Sequence, residues 1–141
     1  MSNRILTVAI LDERKAELET ANLMIWQCCK KDGVPVEISC YSDEQDFFRN
    51  MDSRDFGAVF VAVRGAEDFH TAWRVRDYDK ACMLILVAED GEFALMAYRL
   101  GDAQYLIRPL SEEKIAKTIT AAREANLKNN QGVTENAIIT E

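Results

Sequence analysis

Two six-residue runs in this chain contain no polar side chain: Ala58-Val59-Phe60-Val61-Ala62-Val63 and Met83-Leu84-Ile85-Leu86-Val87-Ala88. Neighbouring side chains on a strand point to opposite faces of its sheet, so a strand that is apolar throughout must be covered on both sides. Runs this short suit central strands better than buried helices, which are longer. Helices on both faces provide the cover, and they accompany a parallel sheet. These two segments therefore predict an α/β protein with both runs in the middle of the sheet.

The rest of the chain agrees with that reading. Further strand-length apolar segments fall at residues 4–11, 36–41 and 103–107. Between the strands the apolar spacing becomes helical. In 14–31, Leu18, Ala21, Ile25 and Cys28 share one face, and Asp32-Gly33 supplies a stop. Ser42 with Gln45 reads as a capping box that opens a helix over 43–51. Phe69, Ala72 and Trp73 give a stripe to a third helix over 67–78. Phe93, Met96, Ala97 and Leu100 do the same for a short fourth, which ends at Gly101. A fifth follows Pro109, capped by Ser111, with Glu112 and Glu113 at its positive end and Ile115, Thr118, Ile119 and Ala122 facing inward. Five strands and five helices in strict alternation, joined by short right-handed crossovers, predict a doubly wound, flavodoxin-like sheet of order 2-1-3-4-5. The pattern fades after Ala125, which divides the chain into a domain over 1–125 and a polar linker or tail over 126–141. That tail includes the short apolar Ala137-Ile138-Ile139 and would suit attachment to a further domain.

Composition narrows the function classes. With 24 acidic against 17 basic residues the net charge is −7, which repels phosphate backbones and argues against direct nucleic-acid binding. No apolar run approaches the roughly 20 residues of a membrane span, and nothing resembles a signal peptide, so a cytoplasmic location is expected. Cys28, Cys29, Cys40 and Cys82 lack metal-ligand spacing and read as buried reduced thiols, with the exposed member of the Cys28-Cys29 pair the one place for a redox sensor. His70 is the only histidine and has no nucleophile or second ligand beside it. Trp26 and Trp73 fit core or interface positions.

Ligands in doubly wound sheets gather beyond the carboxyl ends of the strands. That edge brings together Asp12 and Glu13 after strand one, Ala62, Val63 and Arg64 after strand three, Val87 and Ala88 after strand four, and Arg108 after strand five. The sequence Arg4-Ile5-Leu6-Thr7-Val8-Ala9-Ile10-Leu11-Asp12-Glu13 and the ending Gly101-Asp102-Ala103-Gln104-Tyr105-Leu106-Ile107-Arg108-Pro109-Leu110 resemble the corresponding segments of CheY-like response-regulator receiver domains. The resemblance covers residues 4–125. In a working receiver an acidic pair and an acceptor aspartate hold Mg²⁺, while a hydroxyl after strand four and a lysine after strand five bind the phosphoryl group. Carried over position by position, the acidic pair is Asp12 and Glu13, the acceptor falls on Ala62, the hydroxyl on Val87 and the lysine on Arg108; Tyr105 matches the switch aromatic. An alanine cannot form an acyl phosphate, and valine has no hydroxyl to offer an oxyanion.

The resemblance therefore implies a degenerate receiver: a two-component or phosphorelay-type signalling module, not an enzyme, that acts by protein contact without phosphorylation. Asp12 and Glu13 face two fixed cations, Arg64 and Arg108. Salt bridging without metal is expected, with the two carboxylates only weak Mg²⁺ candidates and no cofactor otherwise. If that bridge is buried, losing Arg108 alone should strand a carboxylate at a cost of about 3–5 kcal/mol. The expected interaction surface is the face of helix four, strand five and helix five, around Tyr98, Tyr105, Glu113 and Lys117, serving a homodimer or a protein partner. Residues 105–113 look especially like receivers joined to LytTR-type DNA-binding domains, and any DNA contact would belong to such a domain. The competing readings are a receiver phosphorylated at another acidic residue, such as Asp68, and a small flavodoxin-like phosphatase using Asp12.

Overall fold

The computed structural model describes residues 4–51, 53–101 and 103–140, with side chains through Asn126. Asp102 of the ending motif, and the side chains of the apolar triplet near the C-terminus, lie outside that description. Strands β1 (Leu6–Leu11), β2 (Val36–Tyr41), β3 (Ala58–Val63), β4 (Met83–Ala88) and β5 (Gln104–Ile107) alternate with helices α1 (Lys15–Lys31), α2 (Glu44–Met51), α3 (Ala66–Tyr78), α4 (Ala94–Tyr98) and α5 (Glu112–Thr140). All strand pairs are parallel and the order is β2-β1-β3-β4-β5. The expected flavodoxin-like topology is the observed one.

The two apolar runs occupy the sheet's interior, as their composition requires. Every residue of β3 is buried, and so is every residue of β4 after Met83. Alternation along β3 divides the core: Ala58 and Phe60 face a layer built from Leu18, Ile25, Ile115 and Ile119 of α1 and α5. Val59, Val61 and Val63 face Phe47, Phe69, Val75 and Ala97 of α2, α3 and α4. Burial of this kind stabilises by roughly 25 cal/mol per Å² of apolar surface, which makes these two strands the mechanical centre of the fold. Among the described residues no helix is long and apolar enough to cross a membrane.

Several local expectations need correction. β1 begins at Leu6 and β5 at Gln104, because ladder pairing starts later than the apolar pattern. Ser42 does not cap α2. The carboxylate of Asp43 accepts the Gln45 amide N–H at 3.1 Å, and a carboxylate at that end also suits the helix dipole. Ser111 does cap α5, accepting the Lys114 amide N–H at 3.2 Å. Gly33 ends α1 at φ 69°, a left-handed value that glycine adopts without a Cβ clash. The backbone of α5 stays helical to Thr140, across the stretch read as a polar linker; that stretch has no proline to interrupt it. Cys28, Cys29 and Cys82 are buried, whereas Cys40 on edge strand β2 is exposed, so the accessible thiol is not in the Cys28-Cys29 pair. Trp26 and Trp73 are both largely exposed, which removes them from the core.

Candidate functional site

Asp12 leaves the end of β1 as a carboxylate that is only 4% exposed. A buried ionised group must be paired or heavily hydrogen-bonded to persist. Asp12 is both. Arg64, the first residue beyond β3, donates from Nη1 to Oδ1 at 2.7 Å and from Nη2 to Oδ2 at 3.1 Å. Arg108, the first residue beyond β5, donates from Nη2 to Oδ2 at 3.2 Å. The Arg14 amide N–H adds a bond to Oδ1 at 2.9 Å. The two-pronged geometry from Arg64 matches the planar fork of a guanidinium to a carboxylate, the strongest form of this pairing. Hydrogen bonding to Asp12 raises the Arg64 pKa further above its ordinary value, with Asp12, Glu89 and Asp68 adding favourable charge and burial opposing.

The arginine pair reaches beyond Asp12. Arg108 Nη1 donates to Glu17 of α1 at 3.0 Å. Both Nε atoms point toward one oxygen of Glu89, at 3.6 Å from Arg64 and 3.1 Å from Arg108. Neither Nε–H forms a hydrogen bond, so Glu89 contributes charge more than direction. Glu89 begins the loop between β4 and α4. The same loop is tied a second time: the Tyr105 hydroxyl donates to the Asp90 carbonyl at 2.7 Å and accepts the Phe93 N–H at 3.2 Å.

Ala62 and Val87 are direct partners in the β3–β4 register and both are buried, so two hydrocarbon side chains lie next to each other at this edge. Glu13 lines the same cleft as Asp12, as expected, but is exposed and has no ion pair among the described residues. Asp68, in the first turn of α3, accepts the Arg64 backbone N–H at 2.9 Å. Asp12, Glu13, Asp43, Arg64 and Asp68 line an open cleft of about 310 Å³. A larger cleft of about 600 Å³ lies at the opposite edge beside Arg76, Cys82, Tyr98 and Gln104. Its Arg76 is already committed to the carbonyls of Leu100, Asp79 and Cys82, and the strand-end cleft, which is lined by the buried Asp12–Arg64 ion pair, is the better candidate.

Sequence reasoning assembled Asp12, Ala62, Arg64, Val87 and Arg108 at one edge, and the structure places them there. It missed Glu17 and Glu89. Glu89 could have been found as the first residue after β4; Glu17 is one acidic residue among several on α1 and carries no such signal. On the expected interface, Tyr98 is highly exposed and Tyr105 is half-buried. Glu113 and Lys117 pair with each other at 3.6 Å on the surface of α5.

These residues do not fit a divalent cation. Both Asp12 oxygens are taken by guanidinium groups, Glu13 lines the cleft but is exposed, and Ala62 offers no oxygen. Mg²⁺ prefers near-octahedral oxygen ligation and keeps its waters, which a carboxylate saturated by arginine cannot accommodate. Among the described residues no group of three acidic, histidine or cysteine side chains is placed to hold a metal.

No family model matches the sequence, and no curated protein matches it. Solved structures do match. A CheY-like response regulator receiver domain protein from Methanospirillum hungatei shares 14% identity at a TM-score of 0.70, covering 89% of this chain and 99% of that one. A response regulator from Thermotoga maritima shares 19% at 0.69, covering 86% and 99%. The response regulatory domain of MrkE from Klebsiella pneumoniae shares 15% at 0.69, covering 84% and 96%. At such identities the shared property is architecture: this chain is folded as a CheY-like receiver domain.

Proposed function

We propose that the chain is a degenerate receiver, a cytoplasmic signalling module that works through protein contact without accepting a phosphoryl group. One observation carries this reading. Ala62 and Val87, the positions to which the resemblance assigns acceptor and hydroxyl, are register partners, and Asp12 at the same strand-end edge is already neutralised by two arginines. The interaction surface in this reading is the α4–β5–α5 face. Leu95, Met96 and Tyr98 of α4 and Ile107 of β5 are large apolar side chains left exposed there, and α5 adds the exposed Glu113–Lys117 pair. Without a phosphorylation-dependent population to select, that surface is permanently available, as a homodimer contact or to another protein. The net charge of −7 leaves DNA contact to a separate output domain, for instance of the LytTR type, wherever one is attached.

A second reading, a receiver phosphorylated at Asp68, draws support from its position in the same cleft as Asp12. Against it, one Asp68 oxygen is held by the Arg64 amide and the neighbouring carboxylate is committed to arginine. A phosphatase using Asp12 as nucleophile is disfavoured for a similar reason, since each Asp12 oxygen accepts from a guanidinium.

Acetyl phosphate with Mg²⁺ tests the proposal directly. Intact-mass analysis should show no adduct, and amide NMR spectra should not move with beryllofluoride. A hydrolysable phosphate mapped to Asp68 would replace this reading with the second. Sedimentation at micromolar concentration should reveal a homodimer that is indifferent to Mg²⁺ and is weakened by Lys117→Glu. A strict monomer whose Lys117→Glu form still binds its partner normally would remove the assigned face.

A further inference from the structure

The misfit between this site and a divalent cation has a specific cause, and it lies in one residue. We infer that Arg64 is a built-in cation: its guanidinium fills the place from which a metal ion would have to coordinate Asp12, and it keeps Asp12 permanently neutralised. Arg64 supplies the shortest contact to Asp12, at 2.7 Å, and the only two-pronged one. It sits among carboxylates that would otherwise repel one another, with Asp12 on one side, Glu89 within 3.6 Å of its Nε and Asp68 bound to its own amide N–H. Arg108 cannot substitute for it, because Arg108 spreads its donors over Glu17, Glu89 and a single oxygen of Asp12.

The chemistry has a direct consequence. An arginine side chain is charged at every pH at which the protein is folded and cannot dissociate, whereas a bound ion exchanges with solvent. The site therefore has one charge state and does not report the concentration of divalent cations. Arg64 also sets its charge against Glu89 at the start of the β4–α4 loop, which links the fixed cation electrostatically to the loop that leads into α4. The inference deepens the degenerate-receiver reading and relies on it for the importance of α4, but the occupancy of the site by Arg64 can be tested apart from any partner or phosphodonor.

Mn²⁺ alone is a suitable probe, followed through paramagnetic broadening of amide NMR signals in the wild-type protein and in Arg64→Met, which keeps an unbranched apolar stem. The wild type should show no saturable broadening at the amides of Asp12, Ala62 and Glu89. Arg64→Met frees the two Asp12 oxygens it holds, in the cleft that Asp12 shares with Asp68, and should gain Mn²⁺ affinity by about ten-fold or more, a gain abolished in Asp12→Asn/Arg64→Met. Saturable broadening at Asp12 in the wild type would overturn the inference, as would a folded Arg64→Met protein with no gain. If Arg64→Met fails to fold, the wild-type titration still decides: site-specific broadening refutes a built-in cation, and its absence through millimolar Mn²⁺ supports one. A phosphate adduct formed by acetyl phosphate would count against the functional reading alone, so the two failures are distinguishable.

Discussion

Replacing Arg64 and Arg108 one at a time, each by methionine, should have unequal effects on stability, and the inequality can be worked out from Asp12. This carboxylate accepts four hydrogen bonds, two from Arg64, one from Arg108 and one from the Arg14 amide. Breaking a buried ion pair from one side costs about 3–5 kcal/mol when the remaining charge is stranded. Arg64→Met removes the bidentate pair but leaves Arg108 and the amide, so the penalty should fall below that range, to roughly 2–3 kcal/mol. Arg108→Met removes a single 3.2 Å contact to Asp12. Its other partners, Glu17 and Glu89, are 45% and 53% exposed and regain water, which holds the cost near ~1 kcal/mol. The sequence pointed to Arg108 as the costly loss because no geometry was yet available to rank the two arginines. Urea unfolding followed by circular dichroism measures both, with an unchanged denaturant slope showing that the native and unfolded states are comparable. Equal losses for the two variants, or a greater loss for Arg108→Met, would refute the assignment of Arg64 as the principal partner.

Two further outcomes follow from groups whose ionisation the fold shifts. The Tyr105 phenol is held above its ordinary pKa, chiefly by burial, with the Phe93 amide opposing and Asp90 and Glu92 adding to the rise. The folded state thus favours the protonated hydroxyl, so its stabilising contribution is complete below the unfolded value near ~10 and is lost as pH rises through the folded one. Ultraviolet titration of phenolate should show one late-ionising tyrosine that disappears in Tyr105→Phe; an unchanged titration curve would contradict this. Among the thiols, Cys40 is exposed, though partial burial of its sulfur raises its pKa, while burial pushes Cys29 up to about 11 and Cys82 up to about 12. A thiol-specific reagent near neutral pH should therefore modify Cys40 first and the other two only on unfolding, and rapid loss of Cys82 in the native protein would show that the β4 edge opens.

The fold was legible because its strongest signal is a matter of burial, which composition reports directly. Six consecutive apolar residues in β3, and again in β4, have one inexpensive solution: a parallel sheet with helices on both sides. The limits of the elements were less legible where several polar residues compete for the same role. Ser42 and Asp43 are both competent caps, and the choice between them depends on which one leaves the strand at the angle that meets the Gln45 amide. The continuation of α5 past Ala125 was obscured for a related reason: its polar residues are compatible with helix and with linker alike. Cys40 shows a related problem: the expected order already made strand two an edge, but an apolar neighbourhood in sequence does not reveal which of its side chains that edge leaves exposed.

At the site, backbone topology fixed what could be anticipated. Residues at the ends of parallel strands must converge on one edge, so Asp12, Arg64 and Arg108 were bound to be neighbours once the strand order was set. Which carboxylate they would choose was a question of direction. Asp12 directly follows β1 and is buried, where its amide continues the ladder by donating to the Tyr41 carbonyl; Glu13, one residue on, stays exposed at the rim of the cleft and pairs with neither arginine. An acidic pair in sequence is therefore a single acid in the cluster. The further acids come from elsewhere: Glu89 reaches both arginines from the β4–α4 loop, and Glu17 reaches Arg108 from α1. Two guanidinium groups around one buried carboxylate leave one positive charge over, and these two half-exposed glutamates more than offset it. The need for such a partner could have been read from charge alone, but its position depends on the side chains that reach the edge, and that is a property of the folded chain.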